Sequence, residues 1–176
     1  MHLISITVIL ILTFFSKTAF AIDRFDFAVG SVSRPSLDAP LINSFRAGFS
    51  WDTDYLQSQG DDYFRTLRIE TSVGLNRTHE KDIKDIGVSP ILHYKLKRSN
   101  WPDFIEIGVG ITHISETHWK PYNDMGSHLQ FADRISAGYY VGTTEISFNL
   151  YHISNGGLSR PNPGADMLLM RMSFKL

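Results

Sequence analysis

Alternation with a period of two recurs along this chain, and it limits the possible folds more than any other feature. Leu67, Ile69, Thr71, Val73 and Leu75 alternate with Arg68, Glu70, Ser72 and Gly74. Ile105, Ile107, Val109 and Ile111 alternate with Glu106, Gly108, Gly110 and Thr112. Ile146, Phe148 and Leu150 are set against Glu145, Ser147 and Asn149, and Leu168, Met170, Met172 and Phe174 against Leu169, Arg171, Ser173 and Lys175. Weaker versions cover 25–29, 45–51, 86–96 and 129–141. Residues two apart share one face of a strand, so each segment reads as a strand with an apolar and a polar face. Eight such segments predict an all-β fold, an eight-stranded antiparallel transmembrane β-barrel.

Alternation alone does not separate a soluble barrel, with apolar residues inside, from a membrane barrel, with apolar residues outside. The polar set decides. Arg46, Arg68, Glu70, Lys95, Glu106, Arg134, Glu145 and Arg171 lie among Gly, Ser and Asn. Mixed signs among small residues suit ion pairs packed into a narrow lumen, whereas a solvated sheet would be richer in Lys and Thr. Aromatics at 12% and Gly at 13 residues fit the same reading. The chain has no Cys, which excludes disulfides, thiolate metal sites and a cysteine nucleophile. Its formal charge of −1 argues against a nucleic-acid partner.

Met1 to Ala21 reads as a secretory signal peptide, with an apolar run from Leu3 to Phe15 and a small-residue end, Ala19-Phe20-Ala21. Residues 22–176 are then the barrel domain. With a periplasmic mature N-terminus, the external connections are 33–40, 76–84, 116–127 and 156–163, and the internal turns are 53–62, 98–102 and Gly142-Thr143. Two of these three internal turns are short, as outer-membrane barrels prefer. The aromatic Phe174 lies close to the carboxy terminus.

The chemically loud stretch is Tyr151-His152-Ile153-Ser154-Asn155-Gly156-Gly157, followed after a loop by Asn162-Pro163-Gly164-Ala165-Asp166. Parity makes it unusual. Ile146, Phe148 and Leu150 mark even positions as lipid-facing, so His152 and Ser154 point outward, and Leu168 and Met170 place Asp166 on the same surface. Polar groups facing hydrocarbon are costly and serve as functional candidates. Alternate residues on a strand lie ~7 Å apart, within lean of an imidazole toward a hydroxyl. The carboxylate from the next strand can take the other ring N–H. That is a serine-hydrolase arrangement, with Ser154 as nucleophile, His152 as base and Asp166 as orienting acid.

The string H-I-S-N-G-G, with N-P-G and an acid fourteen positions after His152, resembles the lipid A 3-O-deacylase family. The resemblance extends in layout over the mature chain, but its specific part is His152 to Asp166. It implies an eight-stranded outer-membrane barrel that hydrolyses the ester-linked 3-hydroxyacyl chain at position 3 of lipid A, with His152, Ser154 and Asp166 as the triad. It also implies that Asn155, with backbone N–H groups near Gly156 and Gly157, stabilises the oxyanion, and that no metal or cofactor is needed. The best-known members carry Glu where this chain has Asp166, so the shorter arm must approach His152 more closely. The implied partners are lipid A or lipopolysaccharide as substrate and the outer membrane as solvent; a homodimer is open.

Other readings compete. His113-Ile114-Ser115 also lies at the outer end of a strand, but it lacks the Asn-Gly-Gly continuation, and Ser127 stands where an acid would be. His118, Trp119, Lys120 and Tyr122 could contact sugar or phosphate, but a girdle aromatic and a solvated loop explain them better. Asp133 shares parity with Phe131 and Ile135: it binds the glucosamine backbone, substitutes for Asp166, or sits at a bulge that reverses parity. The His spacing contains no metal-binding cluster. A non-catalytic adhesion or structural barrel is the alternative function, and a lipid A acyltransferase is a third; the latter needs a donor-chain pocket that the sequence does not announce.

Overall fold

The computed structural model describes residues 22–35, 41–78, 80–97, 101–120 and 123–176. The expected signal peptide, Met1 to Ala21, lies outside them, as does Tyr122. Eight long strands carry the fold: β1 (Arg24–Arg34), β2 (Ser44–Gln59), β3 (Tyr63–Arg77), β4 (Asp82–Leu96), β5 (Phe104–Ile114), β8 (Leu129–Val141), β9 (Thr144–Ser154) and β10 (Ala165–Lys175). Two short strands, β6 (His118–Lys120) and β7 (Asn123–Asp124), form a separate hairpin between β5 and β8. The long strands close in the order β1-β10-β9-β8-β5-β4-β3-β2, every pairing antiparallel. Pairing of β1 with β10 consumes the last edge, which closure alone can abolish.

The two faces divide as the alternation predicts. Phe27, Val73, Ile86, Val109, Ile135, Phe148, Leu150 and Leu168 are exposed around the outside, forming an apolar belt. Arg46, Arg68, Glu70, Glu106, Arg134, Glu145 and Arg171 are buried inside. Lys95 is the exception in the expected lumen set. It is exposed at the far end of β4, with its ammonium 5.3 Å from the Tyr140 ring.

Glu106 is the hub of the lumen, 3.1 Å from Arg68, 2.9 Å from Arg171 and 3.5 Å from Arg134, with His93 Nδ1 at 3.0 Å. Arg68 also holds Glu145 at 2.7 Å, and Arg171 holds Asp26 at 2.7 Å. A charge is tolerable in so enclosed a space only when paired and hydrogen-bonded. Beside this lattice, bounded by Asp26, Arg46, Glu70, Arg134 and Arg171, the open space is about 10 Å³, room for one water at most. Toward the long-loop rim the lumen becomes apolar, with Val32, Ile83, Ile114, Trp119, Met125, Ile153 and Met167 buried together.

Three boundaries differ from the sequence reading. The turn expected over 53–62 shrinks to 60–62, because β2 continues to Gln59 through an irregularity between Thr53 and Ser58. Thr53 Oγ1 donates to the Leu67 carbonyl there, and the local polarity that suggested a loop belongs to paired strand. The connection expected over 76–84 shortens likewise, since β3 and β4 stay in register to Arg77–Asp82. The loop expected over 116–127 contains the β6–β7 hairpin, whose turn residues hide strands too short to show a period. The two-residue turn Gly142-Thr143 stands as expected.

Candidate active site

Register places the outward polar residues in one row. Asp133 on β8 is opposite His152 on β9, His152 is opposite Asp166 on β10, and Asp166 is opposite Arg34 on β1. The β8–β9 pairing runs without a break from Phe131 to Val141, so no bulge reverses the parity of Asp133. His152 Nδ1 lies 2.5 Å from Asp166 Oδ1. A carboxylate only accepts, so Nδ1 carries the hydrogen, and in the neutral ring Nε2 presents its lone pair. Both side chains are about one-third exposed, open to the surface yet flanked by neighbours.

Ser154 shares the outward face two residues beyond His152, opposite Phe131 of β8. Among the described residues its hydroxyl makes no hydrogen bond to His152. The structure therefore brings His152 and Asp166 into contact and places Ser154 alongside them. Below the row, Ile107, Val109, Ile135 and Leu150 line a groove of about 540 Å³ whose upper end is formed by Ser33, Asp133, His152 and Asp166. The geometry offers an apolar trough ending in an imidazole with an available lone pair.

The loop after β9 holds the three residues expected at the oxyanion. Asn155 is buried. Its Nδ2 donates to the Met125 carbonyl at 2.9 Å, and its Oδ1 accepts the Gly157 N–H at 2.9 Å. Its backbone N–H donates to Asn162 Oδ1. Both the amide of Asn155 and the N–H of Gly157 are thus committed to bracing the loop against the β6–β7 hairpin. Gly156, at φ 63°, packs against Phe131, where a Cβ would come within 2.9 Å of the ring. Of the three residues, Gly156 alone keeps a backbone N–H with no partner among the described residues.

Two further residues, Gly164 and Arg34, touch the cluster. Gly164 has φ +67°, and a Cβ there would lie 2.8 Å from His152 Cε1. An N-P-G string next to the acid is its only sequence signal. Arg34 Nε lies 2.7 Å from Asp166 Oδ2. The rival pair diverges: Ser115 Oγ accepts the Lys84 N–H, and His113 stacks on His128 at 5.5 Å, with no acid on either among the described residues. Trp119 is buried rather than offered to sugar. In the hairpin, the Gly126 N–H donated to Asp124 holds that carboxyl below the usual carboxylate range.

One group has metal-like spacing among the described residues, namely His93, Glu106 and Glu145 in the lumen. Arg68 already bridges Glu106 and Glu145, so a guanidinium occupies the cationic position.

Fold and surface define a class, the small outer-membrane β-barrel with a polar cluster on its lipid face. Comparison with known proteins narrows it. The family model for lipid A 3-O-deacylase (PagL) matches residues 43–175, and the chain belongs to that family. Two curated relatives, both named lipid A deacylase PagL, are each 33% identical: one from Pseudomonas aeruginosa over 82 residues, 46% of this chain, and one from Bordetella bronchiseptica over 73 residues, 41% of this chain. The chain spans about half the length of these relatives, with matches covering 47% and 40% of them. A crystal structure described as that of the outer membrane enzyme PagL superposes with a TM-score of 0.74 at 25% identity, covering 87% of this chain and 99% of that one.

Proposed function

We propose that the chain is an outer-membrane esterase that removes the ester-linked 3-hydroxyacyl chain at position 3 of lipid A, with Ser154, His152 and Asp166 as its catalytic triad. The observation that carries the reading is the 2.5 Å contact of His152 Nδ1 with Asp166 on the lipid-facing side. It fixes the tautomer that leaves Nε2 able to accept a proton from Ser154. The family model and the names of the curated relatives supply the substrate class.

In this reading the acyl chain lies in the trough of Ile107, Val109, Ile135 and Leu150 and delivers its ester to the top of the row. Binding draws the Ser154 hydroxyl onto His152 Nε2, a bond that commonly tightens only with substrate present. Ser154 Oγ attacks the ester carbonyl carbon as its proton passes to Nε2. Collapse of the tetrahedral intermediate breaks the bond to the sugar oxygen, which leaves with the proton from His152. Water, deprotonated by His152, then cleaves the acyl-enzyme. The Gly156 N–H is the donor offered to the oxyanion, in place of the Asn155 amide. Met1 to Ala21 would direct export.

Mass spectrometry of lipid A from a Gram-negative host tests this. Wild type should remove one hydroxyacyl chain, and Ser154→Ala and His152→Ala none. An unchanged spectrum with all three favours a structural barrel.

A further inference from the structure

We propose that Arg34 is a positioning residue for the active site, swung onto the outer face by a β-bulge so that it clamps Asp166 toward His152. The proposal rests on the triad reading above.

Parity alone would turn Arg34 inward. On β1 the even residues Asp26, Ala28 and Val32 are buried in the lumen, while Phe27 and Ser33 are exposed. The register against β10 then shifts. Val32 pairs with Met167, but Arg34, not Ser33, pairs with Asp166. One extra residue in β1 reverses the inside–outside order, the way a bulge re-aims a side chain. Arg34 thereby stands outside, with Nε 2.7 Å from Asp166 Oδ2. Ser33, in the extra position, donates its hydroxyl to the Asp166 backbone carbonyl at 3.2 Å. The bulge thus holds Asp166 by main chain and side chain at once.

The consequence is geometric. A carboxylate has two oxygens and turns about a soft torsion. With Oδ2 taken by Arg34, Oδ1 is left toward Nδ1 of His152. As a stabilising element the pair counts for little, since Arg34 is 57% exposed. Its value lies in orientation. An aspartate arm is short, and a second anchor holds it at the distance that a longer acid would reach unaided.

The test uses the full barrel in detergent micelles, as wild type, Arg34→Ala and Arg34→Lys, each checked for heat-modifiable migration. Activity is measured on bisphosphorylated and on dephosphorylated lipid A. The 15N-histidine spectrum reports the His152 Nδ1–H bond without turnover. Arg34→Ala should lower kcat about 10-fold on both substrates, the usual loss when an outer partner of a functional side chain is removed. It should also weaken the low-field Nδ1–H signal, while Arg34→Lys recovers most of both. Unchanged kcat with an intact Nδ1–H signal overturns the clamp. So does a KM increase confined to the bisphosphorylated substrate, which makes Arg34 a phosphate contact. If every protein including wild type is inactive while the signal still depends on Arg34, the deacylase reading fails and the clamp stands.

Discussion

The barrel holds two polar assemblies, one inside and one outside, built from similar side chains to opposite ends. Inside, Glu106 is met by Arg68, Arg134, Arg171 and His93, and Arg68 also reaches Glu145 and Asp52. These charges are enclosed and each meets an opposite one, as a closed low-dielectric space requires, although Asp26 Oδ2 and Arg134 Nε keep no hydrogen-bond partner among the described residues. Outside, the row from Asp133 through His152 and Asp166 to Arg34 is matched on one side only. Asp133 has neither hydrogen bond nor ion pair among the described residues, and Nε2 of His152 and the Ser154 hydroxyl have no partner among them either. Charges closed on one another mark a strut, and groups left open toward the outer surface a site. Burial and charge do not by themselves distinguish the two.

That contrast can be broken by mutation. Ser154→Ala or His152→Ala should lower deacylation by about 10⁶-fold while leaving the barrel folded, and Asp166→Asn by about 10⁴-fold through the wrong tautomer. Lipid A mass spectrometry paired with heat-modifiable migration reads both; an unfolded Asp166→Asn would move the row into the structural class. Glu106→Ala should do the reverse. It takes the shared carboxylate from Arg68, Arg134 and Arg171, leaving excess positive charge in the lumen, costs about 3 kcal/mol in urea unfolding, and leaves activity per folded barrel unchanged. Gly164→Ala should reduce kcat about 10-fold, because a Cβ 2.8 Å from His152 Cε1 displaces the ring by a fraction of an ångström. Smallest is Asp133→Asn: at a half-buried position with no ion pair among the described residues its charge contributes about 1 kcal/mol at most, to be seen as a KM change under fivefold.

The sequence made the inside–outside division readable, since strict alternation survives in β3, β5, β9 and β10. It was enough to put His152, Ser154 and Asp166 on one face. Other features have no local signature. Arg34 follows a bulge, and one inserted residue changes orientation without changing composition. Asn155 looks like a donor beside a serine, yet its partners Met125 and Asn162 belong to separate stretches of loop. Trp119 reads as a girdle aromatic until the β6–β7 hairpin folds it over the lumen. Tertiary contact decided each of these, and periodicity does not carry it.

The packed bore has a consequence for the cell envelope. Ion pairs from Arg68, Arg134 and Arg171 to Glu106 cross the bore, and the space of about 10 Å³ beside them holds one water at most. Copies of this barrel can therefore accumulate in a bilayer without making it leaky, and a planar-bilayer recording should stay electrically silent at any protein density.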